Sequence, residues 1–289
     1  LSTFYTDSLD PRDPAHVEVS VHRLIAKMPT IASYAYKHSV GQPFMYPRDE
    51  LGYVGNFLQM MFANPCEEFE PDPIVEKAIE LLLISQSDHG QNCSTSCVRL
   101  VGSSMVNLFG AVSAGINALA GPQHSGDSRA VLQMLEGIRE QGLSGRDFAE
   151  QVKAKGDHDA LMGFGHRIYE KFDPRARVIR PTCLALLERA GVQSPLLEIA
   201  MELEAQVASD PYFEEHGLFP NIEFYSAVIF NAVGFPADTF TVLSAMGRLP
   251  GWIAHWSELH ADPAFKIARP RQIYTGPVKT DYVRIGERS

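Results

Sequence analysis

Residues 71–86 read PDPIVEKAIELLLISQ, and this stretch decides the fold class. Asp72 is a candidate N-cap, Pro73 suits a first helical turn, and Ile74, Ala78, Ile79, Leu82 and Leu83 recur at helical spacing. One face of such a helix must be core. Further along the chain, SRAVLQMLEGIRE aligns Val131, Leu135 and Ile138, and LLEIAMELEAQVASD repeats the pattern up to Pro211. Alternating strand patterns are scarce, KTDYVRIG in the tail being the best of them. The chain is therefore expected to be mainly helical, without internal repeats or low-complexity tracts. Its 289 residues can bury a sizeable core and no linker divides them, so one large domain with a smaller lobe is expected.

Composition excludes several classes of partner. With 25 Lys+Arg against 35 Asp+Glu, the net charge of −10 argues against a nucleic-acid or anionic-membrane surface, because phosphate binding needs clustered cations. A small molecule or another protein fits better. The four cysteines form neither a disulfide framework nor a zinc-ligand spacing, which points to a reducing cytoplasm. No apolar run is long enough to cross a bilayer, the first residues lack a signal-peptide pattern, and an opening Leu1 suggests a piece of a longer protein.

Three histidines occupy unusual settings: His89 in QSDHGQN, His124 in LAGPQHSGDS and His166 in LMGFGHRIYEKFDPR. A histidine at a helix end often only caps it, but neighbouring glycines let a ligand approach the backbone at His124 and His166. Metal binding is the weaker reading, since no HExxH pair or run of carboxylates accompanies them. Arginines form the second set. Arg177 and Arg271 read as solvated ion pairs, whereas Arg248 lies inside the apolar run FTVLSAMGRLPGWIAHW, where a charge demands a partner. Arg167, Arg175 and Arg269 join it as forks suited to carboxylates or phosphates. Glu223 heads the buried-looking run PNIEFYSA, either as a helix-start charge or as a base. Standard nucleotide and phosphate motifs are absent, so the residues alone indicate a helical protein with a His/Arg/carboxylate pocket for a small polyanion.

These strings, in this order and spacing, resemble the citrate synthase family, most closely its bacterial type II members. The likeness runs from FYTDSLDPRDP through KMPTIASYAYKHSVGQPFMYPR and NCSTSCVRLVGSS to GWIAHWSELH and IARPRQIYTG, and it suggests that the family's N-terminal portion is missing here. It implies an all-α fold with a large lobe of about residues 1–130 and 230–289, a small lobe of about 131–229, and the active site in the cleft between them. The implied reaction condenses acetyl-CoA with oxaloacetate and water to citrate and CoA, a step of the tricarboxylic acid cycle, with acetyl-CoA as co-substrate and neither cofactor nor metal.

By the same resemblance, His124, His166 and Glu223 are catalytic, and His89, Arg175, Arg248 and Arg269 hold oxaloacetate, Arg269 reaching in from a neighbouring subunit. Leu161, Met162, Gly163, Phe164, Gly165, Arg167 and Lys171 would contact CoA. Tyr5, Arg23, Lys27 and Cys66 match an allosteric NADH site, and a homodimer or homohexamer is implied. The chain departs from the family in four places. Glu223 replaces an aspartate; Ser244 stands for a phenylalanine beside the substrate; SGDS after His124 adds the acid Asp127; Glu170 takes a usually basic position near the CoA phosphates. The departures raise two alternatives, a synthase for propionyl-CoA or a longer acyl-CoA, and a catalytically silent dicarboxylate-binding relative.

Overall fold

The computed structural model describes residues 1–121, 124, 127–190, 195–269 and 271–288. The deciding stretch forms helix α3, Pro73–Gln86, as its pattern demands. Asp72 Oδ1 accepts the Ile74 N–H at 2.8 Å, a cap that stabilises a helix by about 1 kcal/mol. Ala78, Ile79 and Leu82 are wholly buried, while Ile74 and Leu83 are half-buried at the edges of the stripe. Before α3 come α1, Pro14–Ser39, and α2, Tyr53–Phe62. After it come α4, Cys93–Gly102, and α5, Leu108–Leu119. Next in order are α6, Asp127–Glu140; α7, Gly145–Lys155; α8, Pro174–Ala190; α9, Pro195–Ser209; and the single turn α10, Pro211–Glu215. Helix α11, Ile222–Val233, and the long α12, Phe240–Ala261, complete the set.

Helix α12 packs against α1, α3, α4 and α5, and buries Trp252 and Trp256. The α4–α5 hairpin closes tightly because Gly115 has no side chain; a Cβ there would lie 2.5 Å from Val98 Cγ2. A second group forms around α11, which packs on α6 and α8, and α9, which packs on α6 and α7. Helix α3 touches both groups, through α12 on one side and through α8 and α11 on the other.

Among the described residues there is no sheet. Residues 279–286, which carry the alternating pattern KTDYVRIG, remain exposed with only a short 3-10 turn at Ile285–Glu287, because no neighbouring strand offers hydrogen bonds. One isolated antiparallel bridge, Phe164 with Pro220, does occur. Gly165 N–H donates to Phe219 O at 2.8 Å and Asn221 N–H to Gly163 O at 2.9 Å, tying the loop before His166 to the start of α11. Glycine is required here: Gly163 and Gly165 have φ of 81° and 75°, and a Cβ on Gly163 would meet Phe224 Cβ at 2.9 Å.

Candidate active site

A cleft of about 780 Å³ collects His89, His124, His166 and Asn221 with the loop from Leu161 to Ile168. Each histidine is presented by a different local device. His124 meets the N-terminus of α4, where Ser94 N–H donates to Nε2 at 3.1 Å and Ser94 Oγ lies 2.9 Å away. An amide N–H can only donate, so Nε2 holds the lone pair and the ring proton is on Nδ1. Ser94 is itself fixed, bonded to the N-cap Asn92 at 2.9 Å and accepting from Trp252 Nε1 at 3.2 Å.

His166 has the opposite tautomer. Its Nδ1 accepts the backbone N–H groups of Ile168 and Tyr169 at 3.0 and 3.3 Å, which leaves the proton on Nε2. That Nε2–H lies 3.4 Å from Arg175 Nη2. Donor faces donor, an arrangement that a carbonyl or carboxylate oxygen between them would satisfy. Arg175 is held by the buried Asp173, whose carboxylate accepts from Arg175 Nε at 2.9 Å and Nη2 at 2.8 Å. Asp173 also accepts the Ile222 N–H at 3.1 Å, the first amide of α11. Burial works against the Asp173 charge, but the Arg175 hydrogen bonds and charge hold its carboxyl below the usual range.

His89 stands beside His166 with ring centroids 5.2 Å apart, and its Nε2 lies 3.1 Å from the Tyr169 hydroxyl. Burial pushes its pKa below 6.5, and the charges of Arg175, His166 and Arg248 push the same way. Arg248, half-buried on α12, is lowered mainly by burial and then by repulsion from Arg175, with Asp88 and Glu223 opposing. Its Nη1 is buried and has no hydrogen-bond partner among the described residues. Two arginines that repel each other in a partly desolvated place make a site that an anion stabilises.

Glu223 occupies the helix start that one of its sequence readings gives. It is the second residue of α11, where the positive end of the helix favours a carboxylate, and the N-cap Asn221 accepts its N–H at 2.9 Å. Its Oε2 also accepts a hydrogen bond from Ser128 Oγ, and its charge acts on Arg248. Asn221 Nδ2 donates to Gly165 O at 2.9 Å, so the Glu223 helix and the His166 loop are one unit.

Other expected residues fall elsewhere. Leu161 and Phe164 are buried as well as lining the cleft, whereas Lys171 and Glu170 are exposed and do not line it. Both follow the turn that carries His166. Arg269 lies exposed on the extended segment after α12, away from this chain's own cleft. Ser244 is half-buried one turn before Arg248, on the same face of α12. The expectation for Asp127 rests on Ser125, Gly126 and the Asp127 side chain, outside the described part. Of the allosteric set, Arg23 stacks on Tyr5 at 4.2 Å and pairs with Asp7 at 2.9 Å. Cys66 lies in the turn after α2, near the end of α1 where Lys37 bonds Ala63 O at 2.8 Å. Residues 23 and 37 are about 21 Å apart along a helix rising ~1.5 Å per residue.

Several groups that shape the site were not singled out from the sequence: Ser94, Ser128, Tyr169, Asp173 and Asn221. Asp173 and Asn221 stand in FDPRA and PNIEF, each just before a helix start, which is the one local cue available.

The model of the family described as "Citrate synthase, C-terminal domain" matches residues 1–271. Citrate synthase 1 of Mycobacterium tuberculosis is 54% identical over 288 residues, covering 100% of this chain and 67% of that protein. The chain belongs to the citrate synthase family. The citrate synthase of Corynebacterium glutamicum is 49% identical over 277 residues, 96% of this chain and 63% of that one. Among solved structures, citrate synthase from Pyrobaculum aerophilum superposes with a TM-score of 0.82 at 35% identity, covering 95% of this chain and 65% of its own. The citrate synthase of Thermoplasma acidophilum, solved as a ternary complex with carboxymethyl coenzyme A and oxaloacetate, gives a TM-score of 0.81 at 27% identity, over 96% and 70% of the two chains. The chain thus spans about two thirds of the length of its family relatives, and the all-α fold expected from the sequence holds.

Proposed function

We propose that this chain catalyses the condensation of acetyl-CoA with oxaloacetate and water to citrate and CoA. The observation that carries the reading is the pair Arg175 and Arg248, mutually repelling and partly desolvated beside His89 and His166, with the buried Arg248 Nη1 lacking a partner among the described residues. A small dicarboxylate satisfies all four groups. The oxaloacetate end lies there, and the ketone oxygen takes the His166 Nε2–H. The thioester end lies toward His124, whose Nδ1–H faces the carbonyl oxygen that becomes the enolate. Glu223 removes a methyl proton as that oxygen gains charge; neither group suffices alone, because the α-proton of a thioester is far less acidic than a carboxylic acid. The new carbanion equivalent attacks the ketone carbon, His166 supplies the proton to the resulting alkoxide, and water then cleaves the thioester to release CoA.

The loop 161–167 supports a role in holding CoA, since its backbone lines the same cleft as His124 and His166. With Lys171 and Glu170 turned outward, Arg167 is the cation of that set at the cleft. The division into two lobes near residues 130 and 230 is supported by the two packing groups joined through α3. Assembly as a homodimer or homohexamer is supported by exposed Ile273, Tyr274, Val278 and Tyr282 on the extended segment around Arg269, which suits the arm of one subunit laid on another. Regulation by NADH rests on the Tyr5–Arg23 contact. Residence in the cytoplasm is supported by the free thiols of Cys66, Cys93, Cys97 and Cys183. No helix among the described residues is long and apolar enough to cross a membrane.

The test is thiol release from acetyl-CoA in the presence of oxaloacetate, with Glu223→Asp alongside the parent, in the chain as given and extended to the relatives' length. Enzyme-dependent thiol release with citrate as product supports the proposal; its absence in both forms overturns it and leaves a dicarboxylate-binding relative. A faster Glu223→Asp variant identifies the longer stem as a displaced base. Ser244, small and on the Arg248 face, motivates a propionyl-CoA arm, and a higher rate with that substrate assigns the larger acyl group.

A further inference from the structure

We propose that His255 is a positioning residue for His89, acting through Asp88; the inference rests on the reading of His89 as an oxaloacetate ligand. His255 Nε2 lies 3.1 Å from Asp88 Oδ1, and Asp88 Oδ2 accepts the Gly90 N–H at 3.1 Å. Asp88 and Gly90 flank His89, so the carboxylate closes the turn that aims the imidazole. On the other side of the His255 ring, Arg99 Nη1 stands 3.5 Å from Nδ1 and donates to the His255 carbonyl at 3.0 Å. Arg99 at 3.5 Å and the exposed Glu258 carboxylate at 4.0 Å both face Nδ1, whereas the Asp88 carboxylate lies at hydrogen-bond distance from Nε2 and takes a proton there, His255 donating to Asp88.

The packing of α12 makes this contact specific. Gly247, Gly251 and His255 recur every four residues and form one stripe. A Cβ at Gly247 would stand 3.1 Å from Gln86 Cβ, and one at Gly251 would stand 2.0 Å from Ser87 O. The glycines therefore let α12 press against the end of α3 and the 87–90 turn, and His255, one helical turn further on, grips that turn by its side chain. Arg99 belongs to α4, the helix whose first turn sets the His124 tautomer through Ser94. One relay, Arg99 to His255 to Asp88, thus locks the turn bearing His89 to the helix that orients His124. Asp88 stays ionised for this role: burial opposes its charge, but the Gly90 N–H, His255 and Arg248 hold its carboxyl below the usual range.

The test compares His255→Leu, which fills the space but cannot donate, with His255→Gln, whose amide nitrogen reaches the place of Nε2, and with Asp88→Asn. Oxaloacetate KM should rise about tenfold in His255→Leu, the size of one lost hydrogen bond to a charged group, with kcat and acetyl-CoA KM changing less than about twofold. Gln should recover most of the loss, and Leu combined with Asp88→Asn should be no worse than either alone. In NMR spectra of histidine-labelled protein the His89 ring signals should move in His255→Leu while those of His166 stay. An unchanged oxaloacetate KM with unmoved His89 signals overturns the inference, as does a parallel rise of both KM values without rescue by Gln, the mark of a loosened α12. If the parent itself releases no thiol, the proposed function fails, and the His89 ring signals alone then decide whether His255 sets its position.

Discussion

Replacing Asp173 by Asn should weaken the fold more than its single atom of change suggests. The side chain is buried, and its two oxygens accept Arg175 N–H at 3.0 Å, Arg175 Nε at 2.9 Å, Arg175 Nη2 at 2.8 Å and Ile222 N–H at 3.1 Å. Asparagine presents an NH₂ where one oxygen accepted, so at least one donor loses its partner and Arg175 loses its counter-charge. Breaking a buried ion pair from one side costs about 3–5 kcal/mol. The Arg175 side chain is 16% exposed and can recover some hydration, which favours the lower end, about 3 kcal/mol. At roughly 2–4 °C per kcal/mol for a chain of this size, Tm should fall by about 6–12 °C. The pH dependence follows from the direction of the shift. Asp173 is depressed on folding from 3.8, so its stabilisation is fully present above that value and is lost as pH falls through the folded pKa. Thermal melts of parent and variant should therefore differ by a constant gap between pH 5 and 8 and converge below about pH 4. A gap that persists unchanged to pH 3, or no gap at pH 7, would refute the account of Asp173 as a charged clamp.

Other perturbations test separate parts of the site. Glu223→Gln should lower kcat by about 10²–10⁴ in thiol-release assays while calorimetry shows oxaloacetate affinity within about threefold of the parent. Gly163→Ala combines a φ of 81° with a Cβ 2.6 Å from Val131 Cγ2 and should cost about 2 kcal/mol in urea unfolding, with a raised acetyl-CoA KM. Folding lowers the His89 pKa from 6.5, so the unfolded chain binds more protons below that pH; stability should decline as pH drops from 7 to 5, and His89→Gln should flatten that decline in parallel melts.

The helices were legible because burial writes a period into the sequence. In α3 the cap, the first-turn proline and the apolar stripe all agreed, and α6 buried Val131, Leu135 and Ile138 as expected. The histidines and arginines of the site could be singled out because glycine neighbours and a charge within an apolar run are local features. Their tautomers could not, since Ser94 lies 30 positions from His124 and only the fold brings them together. Asp173 likewise reads as a turn residue before a helix, and its grip on both Arg175 and α11 is a matter of tertiary contact. For Lys171 and Glu170 the resemblance gave a place near the CoA phosphates, one as a cation and the other as an acid where a base is usual, and the structure adds only that both are exposed and do not line the cleft. Proline marked helix starts, at Pro14, Pro73, Pro174, Pro195 and Pro211, but not every break it suggests, since Pro29, Pro181 and Pro250 lie inside helices.

The bridge between Phe164 and Pro220 bears on how this protein could be recombined with its relatives. Segments 163–165 and 219–221 exchange backbone hydrogen bonds, and Gly163 leaves no room beside Phe224 for a different local shape. A chimaera whose crossover falls between residues 168 and 218 takes the two partners from different parents, and any half-ångström disagreement in backbone path displaces His166 relative to Glu223. Crossovers before residue 160 or after residue 226 inherit the pair intact. In a shuffled library, active members should therefore be enriched for parents that match at both segments, even though 55 positions separate Gly165 from Pro220 in the chain.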